Sequence, residues 1–405
     1  MRAEPAISAR LPSPLLLDVT RSLRRVRHKR PSGIDRVERA YLDFTLDQRG
    51  HVLAAIGERY YRLDTKGART FAAFLDGAGH KLDLTALLRP DRHRRMRAGE
   101  ALIRRHAIAS GPLAEIATGA AAYLNVGHLG LGPVEMTALG ARRVTRIAML
   151  HDLIPLEHPE FTRKDSPAEA EARLTGACLA DVLLTNSADT AERVRDQALA
   201  RGLPLPPLRA LPLGIDPPAP RDAPAPDGAY VLCLGTIEPR KNHGLLLDLW
   251  QEGGLAADLH VAGRRGWCNA PIFERLDRRP ESVFEHSDLS DGQISALIAG
   301  ARALVLPSFA EGYGLPLAEA LALGTPAIVS NLPALREVGR DVPEYLSPTD
   351  HEAWRRAVRD YTTDTPRRAD QIARLQSWRP PLWSDHFAGL QGFLLDHIAG
   401  QRRRS

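Results

Sequence analysis

Two apolar runs of strand length, ARALVLPS and TPAIVS, enclose a glycine loop and one helix-length segment, FAEGYGLPLAEALALG. Strands joined this closely through a single helix lie parallel in one sheet, which makes the chain an α/β protein. Pro316 fits the first helical position, where its missing N–H costs nothing, and Gly324 fits the position just past the helix end. The loop and helix N-terminus present unpaired N–H groups and a partial positive charge, which favour an anion such as a diphosphate. Glu311 and Glu319 flank that place. A plainer reading of both stays open. On helical spacing Leu317, Ala320 and Leu321 share a face with Glu319 opposite, which suits a solvent-side glutamate in the first turn, and Glu311 suits an ordinary loop.

The sharpest change of composition is PPAPRDAPAPDG, residues 217–228, a Pro/Ala stretch that reads as an exposed, fairly stiff linker. Before it, PLLLDVT, RIAMLHD, VLLTNS and LRALPLG read as strands, with helices near IDRVERAYLDF and from Ala188. After it, strands YVLCLGT, DLHVAG, ALVLPS and PAIVS alternate with helices HGLLLDLWQ, GQISALIAGA and LAEALAL. This alternation predicts parallel sheets with right-handed crossovers, hence two Rossmann-like doubly wound domains facing each other across a cleft. The expected division is 1–216, a linker at 217–228, and 229–382. A last helix is expected at 383–400.

Residues 1–210 carry 33 Lys and Arg against 24 Asp and Glu, whereas the rest carries 21 against 25. The excess concentrates in RSLRRVRHKR (Arg21 to Arg30) and RPDRHRRMRAGEALIRRH (Arg89 to His106). Such stretches form either a solvated helix face or a surface for an anionic partner. Zinc-finger spacing and an aromatic RNP-type strand are both missing, so an anionic membrane is the better partner and nucleic acid is not expected. Cys178, Cys233 and Cys268 are too few and too far apart for a disulfide framework or a metal site. The start MRAEPAISARLPSPLLLDVT is broken by Pro12 and Pro14, unlike a signal peptide. No apolar run approaches the roughly 20 residues of a membrane span. A cytoplasmic location is expected, with peripheral attachment at the inner membrane face through the basic half.

Four further segments carry candidate groups at strand ends, a helix start or a glycine loop. In GTIEPRKN, Arg240 and Lys241 sit at the carboxyl end of a parallel strand, where such sheets bind ligands; a solvated turn is the bland alternative. In SGIDRVERAYL, Ser32 followed by Asp35 resembles a helix capping box, and Gly33 permits close backbone approach. In MLHDLIP, His151 and Asp152 end an apolar strand, where the Asp suits a role in fixing the His tautomer. YLNVGHLGLG adds His128 and several glycines and suits an acceptor loop.

EGYGLPLAEALALGTPAIVSNLPALREV together with LGTIEPRKN resembles the retaining, GT-B-fold glycosyltransferases of the family 4 type. LLLDVTRSLRRVRHKRPSGIDRVERAYL and IAMLHDLIPLEHPEFTRKD are similar to the bacterial polysaccharide and O-antigen branch, which includes mannosyltransferases. The resemblance runs from about Leu15 to Gly339. It implies that Glu311 contacts hydroxyls of the donor sugar and Glu319 holds the ribose diol. It implies too that the amides of Gly312, Tyr313, Gly314 and Leu315 receive diphosphate oxygens, that Gly33 faces the diphosphate from the N-terminal domain, and that His151 touches the donor sugar near the reacting centre. Arg240 and Lys241 would neutralise the leaving diphosphate in place of a metal. Thr236 departs from the family pattern, standing where many members have an arginine.

The expected activity is transfer of a hexose from a nucleotide-sugar to a lipid-linked or polysaccharide-precursor acceptor, without cofactor or metal. The final helix would cross back to the N-terminal domain. A GT-B-fold sugar-nucleotide epimerase and a non-catalytic sugar-nucleotide-binding subunit are the alternatives. A nicotinamide dehydrogenase is disfavoured because G-x-G-x-x-G does not follow the first strand.

Overall fold

The computed structural model describes residues 14–26, 31–77, 92–216, 218–219, 221–222 and 224–402. Residues 27–30 and 89–91 of the basic stretches, residues 217, 220 and 223 of the expected linker, and the start of the chain through residue 13 lie outside the described residues.

The first half opens with β1 (Leu15–Asp18), α1 (Thr20–Arg25), α2 (Gly33–Asp47), β2 (His51–Ile56), β3 (Arg59–Leu63) and α3 (Thr65–Leu75). It continues through α4 (Arg92–His106), β4 (Ala107–Gly111), α5 (Leu113–Ile116), β5 (Ala122–Asn125), α6 (Pro133–Ala141), β6 (Thr145–Leu150) and α7 (Ile154–Glu157). It closes with α8 (Ser166–Cys178), β7 (Val182–Thr185), α9 (Ala188–Ala200) and β8 (Leu208–Ala210). The second half comprises β9 (Tyr230–Leu234), α10 (His243–Gln251), β10 (Asp258–Ala262), α11 (Ala270–Asp277), β11 (Val283–His286), α12 (Asp291–Gly300) and β12 (Ala303–Leu306). There follow α13 (Leu315–Ala322), β13 (Ala327–Ser330), α14 (Pro333–Gly339), β14 (Glu344–Leu346), α15 (His351–Thr362), α16 (Pro366–Leu375) and α17 (Trp383–Arg402).

Two sheets result, ordered β4-β3-β2-β1-β5-β6-β7-β8 and β11-β10-β9-β12-β13-β14. Central strands are buried on both faces, as crossovers on each side require. Leu15 and Leu17 enter one apolar cluster and Leu16 the other, while Leu232 and Leu304 lie on the opposite face from Val231 and Val305. Local signals set the helix starts. Ser32 Oγ accepts from the Asp35 amide while Asp35 returns a bond to the Ser32 amide, and Ser290 and Gln293 repeat the pattern at α12.

One expectation needs correction. The second sheet is parallel throughout, but the first is mixed: β3 runs antiparallel to both β2 and β4. Gly57, with φ 62°, turns β2 back into β3 as a hairpin, so no crossover intervenes.

In each sheet the strand order reverses once, between β1 and β5 and between β9 and β12. The crevices outside the carboxyl ends at these reversals are where doubly wound sheets bind ligands, and here they oppose each other. The last helix lies on the first half: Phe387 stacks on Phe44 at 4.4 Å, and the Tyr41 hydroxyl meets His386 Nε2 at 2.9 Å.

Candidate functional site

The loop after β9 carries Arg240 and Lys241 to the second switch point in a single 3-10 turn, Pro239–Lys241. The loop after β12 brings Glu311 to the same place. Lys241 Nζ donates to Glu311 Oε1 at 2.5 Å, Ser308 Oγ donates to the same oxygen at 2.7 Å, and Arg240 Nη1 donates to Oε2 at 2.9 Å. Arg240 Nε also pairs with Glu238 at 2.7 Å. Burial alone would raise the Glu311 pKa, but the two cations hold it down at about 2. Two cations thus face two carboxylates, so neither Arg240 nor Lys241 offers an uncompensated charge. A carboxylate has about four lone-pair sites; with three taken, Glu311 retains capacity for a sugar hydroxyl.

Glu319 follows on α13, and its position overturns the solvent-side reading. Its side chain is only 16% exposed because α2 of the first half covers that face, and Arg36 on α2 donates to Glu319 Oε1. Burial pushes the Glu319 carboxyl up from the usual glutamate value, with the Arg36 charge opposing. Gly33 begins α2 and Leu315 begins α13, and a Cβ on Gly33 would lie 3.2 Å from Leu315 Cδ1. Two helix N-termini therefore meet across the cleft, and their partial positive charges converge.

The glycine loop is held from both sides. Tyr313 is buried and its hydroxyl donates to Leu213 O at 2.7 Å. Gly314 has φ 104°, and a Cβ there would strike Leu335 at 2.5 Å, so glycine is required. Gly312 lies against the first half: a Cβ would fall 2.4 Å from His151 O, and its own carbonyl accepts from Ser187 Oγ and Thr190 Oγ1 at 3.2 and 3.3 Å. Elsewhere across the cleft, Glu337 accepts from the Ala188 and Asp189 amides at the start of α9.

His151 follows directly on β6, is buried, and its Nε2 lies 2.8 Å from Val126 O. This bond fixes the tautomer with a proton on Nε2. The expected orienting role of Asp152 is thus corrected, since Asp152 Oδ1 instead accepts from the Ile154 amide. Burial drives the His151 pKa down to about 4, which makes the ring neutral at pH 7. His128 lies beside it, the rings tilted by 48° with 4.8 Å between centroids, and has a left-handed φ of 68°. Asp152, Glu157, Thr190, Arg193, Phe309 and Glu311 line the intervening cleft, which encloses about 20 Å³. That is room for about one water in the closed arrangement.

Sequence reasoning missed a second buried group at the first switch point. Asp18 ends β1, accepts from the Thr20 amide and the Tyr123 hydroxyl, and burial raises its pKa to about 6. Glu38 on α2 accepts from the Ser22 amide at 2.7 Å, while its Oε2 is buried without a partner. Burial, with the Asp18 charge adding, raises its pKa to about 8. The signal for Asp18 was its place at the end of LLLD; Glu38 gave none.

A carboxyl whose pKa is raised in the fold favours folding below its unfolded value and loses that advantage as pH rises through the folded value. We therefore expect Glu38→Gln, which mimics the neutral acid, to melt above the wild type at pH 8, with the gap closing toward pH 4.5. A gap that does not change with pH would show that Glu38 is ionised in the folded protein.

Among the described residues no group of three or more His, Cys, Asp or Glu is placed to hold a metal, and no helix is long and apolar enough to cross a membrane.

Residues 220–378 match the family model of glycosyl transferases group 1. Over 226 residues, 49% of this chain, the protein is 30% identical to the serotype-specific mannosyltransferase WbdA of Escherichia coli, covering 27% of that protein. It is 36% identical over 130 residues, 31% of this chain, to the O-antigen chain mannosyltransferase B of Escherichia coli, covering 34% of it. The match thus spans about a quarter to a third of the length of these relatives. Among solved structures, Anabaena HepE in complex with UDP and glucose superposes with a TM-score of 0.62 at 14% identity, over 96% of this chain and 99% of that one. The α,α-trehalose-phosphate synthase of Burkholderia vietnamiensis gives 0.61 at 13% identity, over 97% and 99%. The chain has the GT-B fold, and the match to the glycosyl transferases group 1 model falls in its second half.

Proposed function

We propose that the protein is a metal-independent, retaining hexosyltransferase of the family 4 type, which moves mannose from a nucleoside diphosphate to a lipid-linked or polysaccharide-precursor acceptor. The carrying observation is the convergence of the α2 and α13 N-termini beside Glu311, Lys241 and Arg240 at the switch point. The mannosyltransferase relatives support the choice of sugar. In this reading residues 1–216 bind the acceptor and 229–382 the donor, with 217–228 joining them and the last helix returning to the first domain.

The bond from the sugar anomeric carbon to the diphosphate breaks, and the acceptor oxygen bonds to that carbon on the same face. The acceptor proton passes to the leaving phosphate oxygen. Negative charge grows on the diphosphate, where the helix ends, the amides of Gly312, Tyr313, Gly314 and Leu315 and the Gly33 loop stabilise it, while Lys241 and Arg240 offset the Glu311 and Glu238 carboxylates that would otherwise repel it. Glu319 holds the ribose, Glu311 the sugar hydroxyls, and His151 stands as a neutral imidazole near the reacting centre. Closure of the halves excludes water.

The test is calorimetric titration with UDP, GDP and ADP and their sugars, followed by turnover on lipid-linked precursors. Glu319→Ala should weaken nucleotide binding about tenfold, because a ribose contact persists through the reaction, whereas Glu311→Ala should lower turnover more than affinity. Equal, negligible effects of both changes would refute the assignment. A product that stays nucleotide-linked would identify an epimerase, and donor binding with no turnover on any acceptor would identify a binding subunit.

We also place the protein in the cytoplasm, at the inner membrane face through α4. Arg94, Arg97, Arg104 and Arg105 are exposed along one stripe of that helix, whereas Arg95 turns inward to donate to Leu75 O at 3.0 Å. Each cation near an anionic surface contributes up to about 1 kcal/mol. The protein should co-sediment with anionic but not neutral vesicles and be released by salt. Changing those four exposed arginines to serine should weaken vesicle binding while sparing nucleotide affinity. Binding indifferent to lipid charge would leave α4 a solvated face.

A further inference from the structure

Arg36 is the residue on α2 whose guanidinium reaches across the cleft to α13. Its Nη1 donates to Glu319 Oε1 and its Nη2 lies 4.0 Å from Asp216 Oδ2. Burial alone would weaken the Arg36 charge, but Glu319 and then Asp216 offset it, so the guanidinium pKa is raised. The space bounded by Arg36, Asp216, Leu315 and Trp383 encloses about 10 Å³. That is at most the space of one water, far short of a ribose ring.

We infer that Arg36 gates the nucleotide site: it occupies the Glu319 carboxylate when the halves are closed, and the ribose diol of the donor must displace it. The inference rests on the reading of Glu319 as the ribose ligand. A diol donates two hydrogen bonds and is gripped best when both carboxylate oxygens receive one. The Arg36 guanidinium holds one of those oxygens and fills the approach to it. Arg36 follows Gly33 by one helical turn, so any movement that parts α2 from α13 releases the carboxylate and widens the diphosphate site together. Donor recognition in the second half is thereby coupled to the position of the first. Glu319 without its cation is a partly buried, uncompensated charge, which the incoming hydroxyls then satisfy.

Arg36→Met keeps the aliphatic stem and removes the charge. The probe is the neutral nucleoside matching the diphosphate selected by titration, uridine, guanosine or adenosine, so that phosphate charge does not enter. Calorimetry should show Arg36→Met binding the nucleoside about fivefold more tightly than the wild type, the scale of a partly exposed ion pair. Wild-type affinity should rise between 50 and 500 mM salt as the pair is screened, with the variant nearly flat. Glu319→Gln should weaken binding, and Arg36→Met added to it should give no gain. If Glu319→Gln weakens binding but Arg36→Met leaves it unchanged or weaker, the gate is overturned and the ribose reading stands. If Glu319→Gln has no effect, the ribose reading falls and the gate with it.

Discussion

Lys241→Ala should lower turnover by on the order of 10²-fold, as does the loss of one preorganised electrostatic donor elsewhere. Lys241 lies almost fully buried, 7% exposed, and shares Glu311 with Arg240, which is itself divided between Glu311 and Glu238. Removing the lysine leaves one cation against two carboxylates, so in the proposed reaction the diphosphate would meet a net negative wall just where its charge grows. Breaking a buried pair also costs stability, about 3–5 kcal/mol when the partner is left uncompensated. Lys241→Met with Glu311→Gln restores neutrality and separates the two effects: it should recover the melting temperature but not the rate. Because Glu311 is held at about 2, its ionisation should leave no limb in the pH–rate profile above pH 4. Chelators should leave the rate untouched. Activity abolished by EDTA and restored by a divalent metal would contradict the metal-free mechanism.

Where the chain punctuates itself, its structure was legible. Asn242 and Ser187 mark the starts of α10 and α9, and Gly324, with φ 80°, sits just past α13. The strand–loop–helix–strand unit around Glu311 and Glu319 follows from Pro316, Gly324 and two apolar runs, all local features. The mixed edge of the first sheet was not legible, because HVLAAI is a continuous apolar run without a period, and nothing local makes β4 return antiparallel to β3. Glu319 shows a subtler failure. Its helical phase does place it opposite the α13 core residues, but at a cleft that opposite face meets another domain. The Arg36 partner lies 283 residues away in sequence, a separation for which a single chain offers no periodicity. Arg240 and Lys241 were found by their position after β9, yet their neutralisation by Glu238 and Glu311 depends on how closely two loops approach, which tertiary packing decides.

Gly312→Ala should leave each half folded and yet reduce turnover by on the order of 10²-fold, the effect of a misplacement of about 1 Å in a reacting geometry. Gly312 has no left-handed φ, so alanine fits its backbone. The added carbon meets its obstacle only across the cleft, 2.4 Å from the backbone oxygen of His151 and 3.0 Å from Asp152 Cβ. Backbone oxygen cannot swing aside as a side chain can, so the halves must stand farther apart, weakening the Ser187 and Thr190 bonds to Gly312 O. Nucleotide affinity, which the proposed function assigns chiefly to the second half, should change only a few-fold, and the melting temperature should stay close to that of the wild type. Gly314→Ala is the contrast. There the φ of 104° and the 2.5 Å approach to Leu335 lie within the second half, so that variant should lose stability and nucleotide binding together. Scattering in solution should show Gly312→Ala more extended than the wild type when donor is bound. A Gly312→Ala protein that turns over at the wild-type rate would show that this contact between the halves takes no part in the working cycle.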